Sequence, residues 1–168
     1  MTVPRHKVFT SFHNEDQGYK DYFVEMMGDD IIDESVSDGD IPTDVSTDTI
    51  RGRIRDEFIR DATVTIVLIG PCTWQRKHVD WEIGSSLRST KLNSRCGLLG
   101  ILLPHHSDYG TRKYTKGLMP PRLADNAGSD DEAYAWIYDW SSTAANVRRW
   151  IHRAFERRSG DAPNNGRT

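Results

Sequence analysis

A chain of 168 residues, 36% hydrophobic and 28% charged with a net charge of −3, is sized and composed for one globular domain with a single core. No window approaches the ~20 apolar residues of a membrane span, and MTVPRHKVFTSF at the N-terminus has no signal-peptide apolar stretch, so a cytoplasmic protein without membrane partners is expected. The two cysteines, Cys72 and Cys96, have neither CxxC spacing nor histidine pairs near them and read as reduced and structural.

In chain order, HKVFTSF (6–12) is a short, β-rich, apolar strand, and Tyr19, Phe23 and Met26 or Met27 then repeat at helical spacing. DDIID (29–33) is a shorter strand candidate. The acidic DESVSDGDIPTDVS (33–46) follows as a candidate flap, before a helical period of Ile50, Ile54 and Phe58. TVTIVLIG (63–70) is a buried strand; Val79, Ile83 and Leu87 mark a helix; GLLGILLP (97–104) is a second buried strand. Residues 104–132, rich in Gly, Pro and Asp, form a long connection of the kind that is often functional. AWIYDW (135–140) and the period Val147, Ile151 and Phe155 close the domain at about residue 158, and SGDAPNNGRT (159–168) is expected to be a disordered tail.

Alternating strands and helices of this kind predict an α/β fold of the flavodoxin-like type: a five-stranded, mainly parallel sheet in the order 2-1-3-4-5, with helices on both faces. Ligands in such sheets bind where the chain leaves neighbouring strands toward opposite faces, here between the loops 11–18 and 70–78.

Charge is unevenly spread. Twelve acidic residues face one basic residue, Lys20, between Asn14 and Asp48, whereas the last helix carries Arg148, Arg149, Arg153, Arg157 and Arg158. Without an aromatic or Gly-rich RNA-binding motif, the basic helix reads as a solvated face rather than a nucleic-acid site.

No GxGxxG, GxxxxGK[ST] or GxSxG is present, which disfavours Rossmann, P-loop and Ser-hydrolase chemistry. The strand ending Leu68-Ile69-Gly70 lacks the aspartate that phosphorelay chemistry needs. His105 and His106, being adjacent, point in different directions and do not make a metal site, so no metal is expected. Trp74 and Trp81 flank the start of the Val79 helix and read as packing residues. Ser11, Phe12, His13 and Asn14 offer a hydroxyl, an aromatic face, an imidazole and an amide to the crevice, although His13 is equally a strand-end histidine with a backbone partner. Glu82, about 100 degrees from Ile83 on the helix, lies near the crevice mouth, where partial desolvation makes a carboxylate a strong partner for positive charge. An ordinary pair with His78, four residues earlier, accounts for Glu82 as well.

KVFTSFHNED, TVTIVLIGPCTWQRKHVDWEI and GLLGILLP, in this order and with DDIIDESVSDGDI between the first two, resemble the TIR-like domain of Thoeris anti-phage defence systems, the ThsB-type subunit, over roughly residues 6–104. The resemblance implies a TIR-type flavodoxin-like fold over residues 1–158, NAD as substrate rather than cofactor, and cleavage of the nicotinamide–ribose bond. It implies Glu82 as catalytic carboxylate, and Ser11, Phe12, His13, Asn14, Trp74 and His78 as substrate-binding residues. The implied product is a cyclic ADP-ribose-type signal for a separate effector protein, with room for a phage-derived trigger and a homo-oligomer. The tryptophan-cysteine pair that precedes the glutamate in many eukaryotic TIR domains is missing, since Trp81 adjoins Glu82 directly. Two alternatives remain at this stage: a non-catalytic TIR scaffold, and a simple NAD glycohydrolase.

Overall fold

The computed structural model describes residues 4–28, 31–34, 59, 62–89, 94–130 and 132–166. The candidate flap 33–46 beyond its first two residues, and the helical period Ile50, Ile54 and Phe58, lie outside them.

Five strands, β1 (His6–Ser11), β2 (Ile31–Glu34), β3 (Val64–Ile69), β4 (Gly97–Leu102) and β5 (Ala135–Asp139), form one sheet in the order β2-β1-β3-β4-β5. Every pairing is parallel, with Val8 opposite Val64, Val64 opposite Gly97 and Leu98 opposite Ala135. β2 is known by its backbone and register alone. β3 and β4 are buried at every position, which is why they read as unbroken apolar runs rather than alternating ones.

Period two sends alternate strand residues to opposite cores. On one face, Val8, Ile66, Leu68, Leu99 and Ile101 cluster with Phe23 and Met27 of α1 (Gln17–Met27). Val147, Ile151 and Ala154 of the helix Ala144–Arg157 join the same cluster. On the other face, Val67, Ile69, Leu98 and Leu102 meet Val79 and Ile83 of α2 (Lys77–Ser86), and Leu123 of α3 (Pro121–Asn126). The helix Ala144–Arg157 is α4. Each of the Val, Leu, Ile, Met and Phe side chains among these contributes about 1.5–3 kcal/mol by leaving water. No described helix is long and apolar enough to cross a membrane.

Two segments differ from the sequence reading. The connection 104–132 contains a 3-10 turn, Lys116–Leu118, and α3, which starts with Pro121 in its first turn and is anchored by the buried Leu123. A proline there loses no helical hydrogen bond. The tail expected to be disordered instead lies against the domain through Asn165: Asn164 N donates to Asn126 Oδ1 at 2.7 Å, and Asn165 Nδ2 to Gly84 O at 3.0 Å. Side-chain amides complete backbone groups without any apolar periodicity, so hydropathy gives no sign of it.

Candidate functional site

β1 and β3 are neighbours, yet the chain leaves β1 for α1 on one face and β3 for α2 on the other. The carboxyl ends of these two strands therefore border the crevice that parallel sheets use for ligands.

After β3, Gly70 N donates to Thr73 Oγ1 at 2.9 Å, and a 3-10 turn, Thr73–Gln75, delivers the chain into α2. Val79, Ile83 and Leu87 seat that helix on the sheet, and Trp81 packs toward Phe9 and Cys96. These anchors seat the helix, and Glu82 is left only 2% exposed. His78, one turn earlier on the same side of the helix, places Nε2 3.3 Å from Phe12 O, so its Nε2–H tautomer donates to the end of β1. Glu82 follows His78 by one turn and so lies on the same side of the helix. A carboxylate shielded from water in this position interacts far more strongly with positive charge than one in solvent.

The other residues singled out from sequence divide. Ser11 is buried on the α2 side of β1, and neither its hydroxyl nor that of Thr65 on β3 has a hydrogen-bond partner. Phe12 brings its carbonyl to His78, but its ring packs into the core on the α1 side, away from α2. His13 is the cap of a short 3-10 turn, Asn14–Asp16, its Nδ1 accepting from Glu15 N at 2.9 Å, so its ring closes a turn. Asn14 is exposed at the rim, and Trp74 is 36% exposed on the turn before α2.

The structure adds a pair that the sequence reading missed. Asp16, 5% exposed, accepts from His105 Nε2 at 3.0 Å, and His105 stacks flat on Tyr19 with ring centroids 5.2 Å apart. Asp16 also lies against Gly70, where a Cβ would stand 2.2 Å from its Oδ2. One carboxylate thus joins the ends of β1, β3 and β4. Burial pushes the Asp16 carboxyl above the usual carboxylate value, and the neighbouring His105 and His13 pull it part of the way back. In the sequence Asp16 is hidden in a run of acids; its position five residues past the end of a buried strand was the usable signal. His106, as expected of an adjacent histidine, points elsewhere: it is buried, and its Nδ1 accepts from Asp108 N at 2.9 Å. Among the described residues no three His, Cys, Asp or Glu side chains come together to hold a metal ion.

A family model described as the Thoeris protein ThsB, TIR-like domain, matches residues 9–108, more than half of the chain. The chain belongs to the ThsB TIR-like family. Comparison with curated proteins found no match. The ThsB match spans Ser11 to His105, Glu82 included, and ends before α3, β5, α4 and the docked tail. Membership places the protein in anti-phage defence and agrees with the parallel α/β fold.

Proposed function

We propose that this ThsB TIR-like protein consumes NAD, breaking the bond between nicotinamide and ribose and converting the ADP-ribose part into a cyclic signal for a separate effector. The observation that carries this reading is the buried Glu82 on α2, held on the side of the helix that His78 ties to the end of β1.

Departure of nicotinamide leaves positive charge on the ribose, an oxocarbenium-like state of the kind glycosidases stabilise with a carboxylate. Glu82 supplies that negative charge and orients a ribose hydroxyl. Nicotinamide leaves as a neutral base, so no strong general acid is required. Capture of the anomeric carbon by a group of the same nucleotide gives a cyclic product, provided that water is kept out and the internal nucleophile is held close. His78 bonds the end of β1 on the α2 side, and the Asp16–His105 pair ties the ends of β1, β3 and β4 together.

The test is mass spectrometry of nucleotides from phage-infected cells expressing the protein or its Glu82→Gln variant, with equal amounts of folded protein. The expected result is an ADP-ribose-derived species that the variant does not make. Free ADP-ribose instead of a cyclic species would indicate a plain NAD glycohydrolase. An unchanged nucleotide pool alongside phage protection that survives Glu82→Gln would replace the enzyme with a scaffold.

A further inference from the structure

α2 is gripped from the side opposite to Glu82. Arg122 of α3 is among the largest fully buried side chains of the protein, 2% exposed. Its NH1 makes a close ion pair with Asp80 Oδ2, and its own backbone N–H donates to Asp80 Oδ1 at 3.0 Å. Its Nε donates to Asn165 Oδ1 at 3.1 Å, and Asn165 Nδ2 in turn donates to Gly84 O at 3.0 Å. Asn126 locks the remaining side: its Nδ2 donates to both Arg122 O and Asn164 O at 2.8 Å.

Asp80 and Gly84 are one helical turn apart and share a face of α2. Glu82 lies two residues from each, rotated by about 200° around the helix. The bonds therefore hold α2 at two heights on its back while the carboxylate projects from its front. A buried ion pair adds little stability over an apolar pair of the same volume, so what this one contributes is a fixed arrangement.

We infer that Arg122, with Asp80 and the tail residue Asn165, is a positioning device for Glu82, setting the rotation of α2 about its own axis. The inference rests on the reading of Glu82 as the reacting carboxylate. A helix rotation of roughly 10° moves a side-chain end about 5–6 Å from the axis by about 1 Å. A displacement of that size costs up to about 100-fold in rate. Arg122, Asn126, Asn164 and Asn165 all follow residue 108, where the family match ends, so the groups that grip Asp80 and Gly84 come from beyond the matched region.

Two variants test this. Asn165→Ala removes only the link between Arg122 and Gly84, and Asp80→Asn with Arg122→Met removes both charges together, leaving neither buried alone. Hydrogen exchange across the protein, the Glu82 carboxyl carbon resonance and steady-state NAD cleavage are measured on the purified full chain, with Glu82→Gln as reference. The inference expects faster exchange in α2 but not in β3 or β4, and a shifted Glu82 resonance. It further expects kcat lowered about 10- to 100-fold at an unchanged KM for NAD. Arg122→Lys, which keeps the charge but loses the fork reaching Asn165, should behave like Asn165→Ala. Unchanged α2 exchange and an unchanged Glu82 resonance in both variants overturn the clamp whatever the rates do. If those two readouts move while Glu82→Gln cleaves NAD like the parent, the clamp stands and the role given to Glu82 fails.

Discussion

Gly70 is where the crevice is most tightly built, and Gly70→Ala gives a sharp test of the Asp16 contact. A Cβ at residue 70 would stand 2.2 Å from Asp16 Oδ2, 2.8 Å from its Cγ and 2.9 Å from its Oδ1, whereas ordinary contact begins at 3.4 Å. The carboxylate must move by about 1 Å or more, and its side chain is short. Moving it strains the bond to His105, a group 42% exposed, so that solvent screening keeps this loss to about 1 kcal/mol or less. Crowding in a packed site adds about 1–3 kcal/mol, giving about 2–3 kcal/mol in all. In an Asp16→Ala background the same methyl group enters the space that the carboxylate has left. The two changes should then show a favourable coupling of about 1–2 kcal/mol, well above the ~0.5 kcal/mol scatter of independent sites. Urea unfolding of the parent, both single variants and the double variant, analysed by linear extrapolation, gives the four free energies. A Gly70→Ala cost that is the same with and without the Asp16 carboxylate would refute the contact.

Gly97→Ala should be at least as damaging for a different reason: its Cβ would meet the backbone of α4, 2.2 Å from Ala154 O, and backbone cannot rotate away. A loss of about 3 kcal/mol would lower Tm by roughly 6–12 °C in a domain of this size. Gly100→Ala, which meets only the side-chain ends of Ile69, Leu123 and Ile137, should shift it less, and the reverse order in thermal unfolding would count against the packing of α4 on β4. His6 supplies a pH dependence. Burial, then the adjacent His152 and Arg158, holds its pKa below 6.5, so the folded state binds the proton less readily than the unfolded one. The His6 contribution is therefore complete above pH 6.5 and declines as the pH falls through that value toward the lowered one. His6→Gln should flatten the Tm profile over that window, and a profile identical to the parent would remove His6 as its source.

What the sequence revealed follows from which signals are periodic. Apolar runs located β3 and β4 to within a residue or two, and the spacing of Val79, Ile83 and Leu87 placed Glu82 on a helix, because period and burial have the same physical origin. Side-chain direction was harder to read. Phe12 and His13 sit where the strand pattern puts them, yet one ring turns into the opposite core and the other caps a turn, choices made by neighbours distant in sequence. The Asp16–His105 pair spans 89 positions and the Asn165–Gly84 bond 81. Polar contacts of that range leave no local pattern, which is why a buried carboxylate passed unnoticed in a run of acids and an asparagine clamp read as a loose end.

The same distinction bears on where the working unit ends. The family match stops at residue 108, but β4 is an interior strand whose outer partner is β5, and α2 shares its core with Met119, Leu123 and Tyr134. On the other face, Val147 and Ile151 of α4 complete the cluster around Leu99 and Ile101. At about 1.5–3 kcal/mol for each such side chain, the burial contributed from beyond residue 108 by these five is comparable to the ~5–15 kcal/mol that holds a typical domain folded. A chain cut at the family boundary would keep Glu82 but lose its support: a sheet edge along β4 would be left unpaired, and the face of α2 that carries Asp80 and Gly84 would have nothing to grip it. Part of what holds α2 in place therefore lies outside the residues that mark the family, and the smallest unit expected to keep both runs to the docked asparagines of the tail.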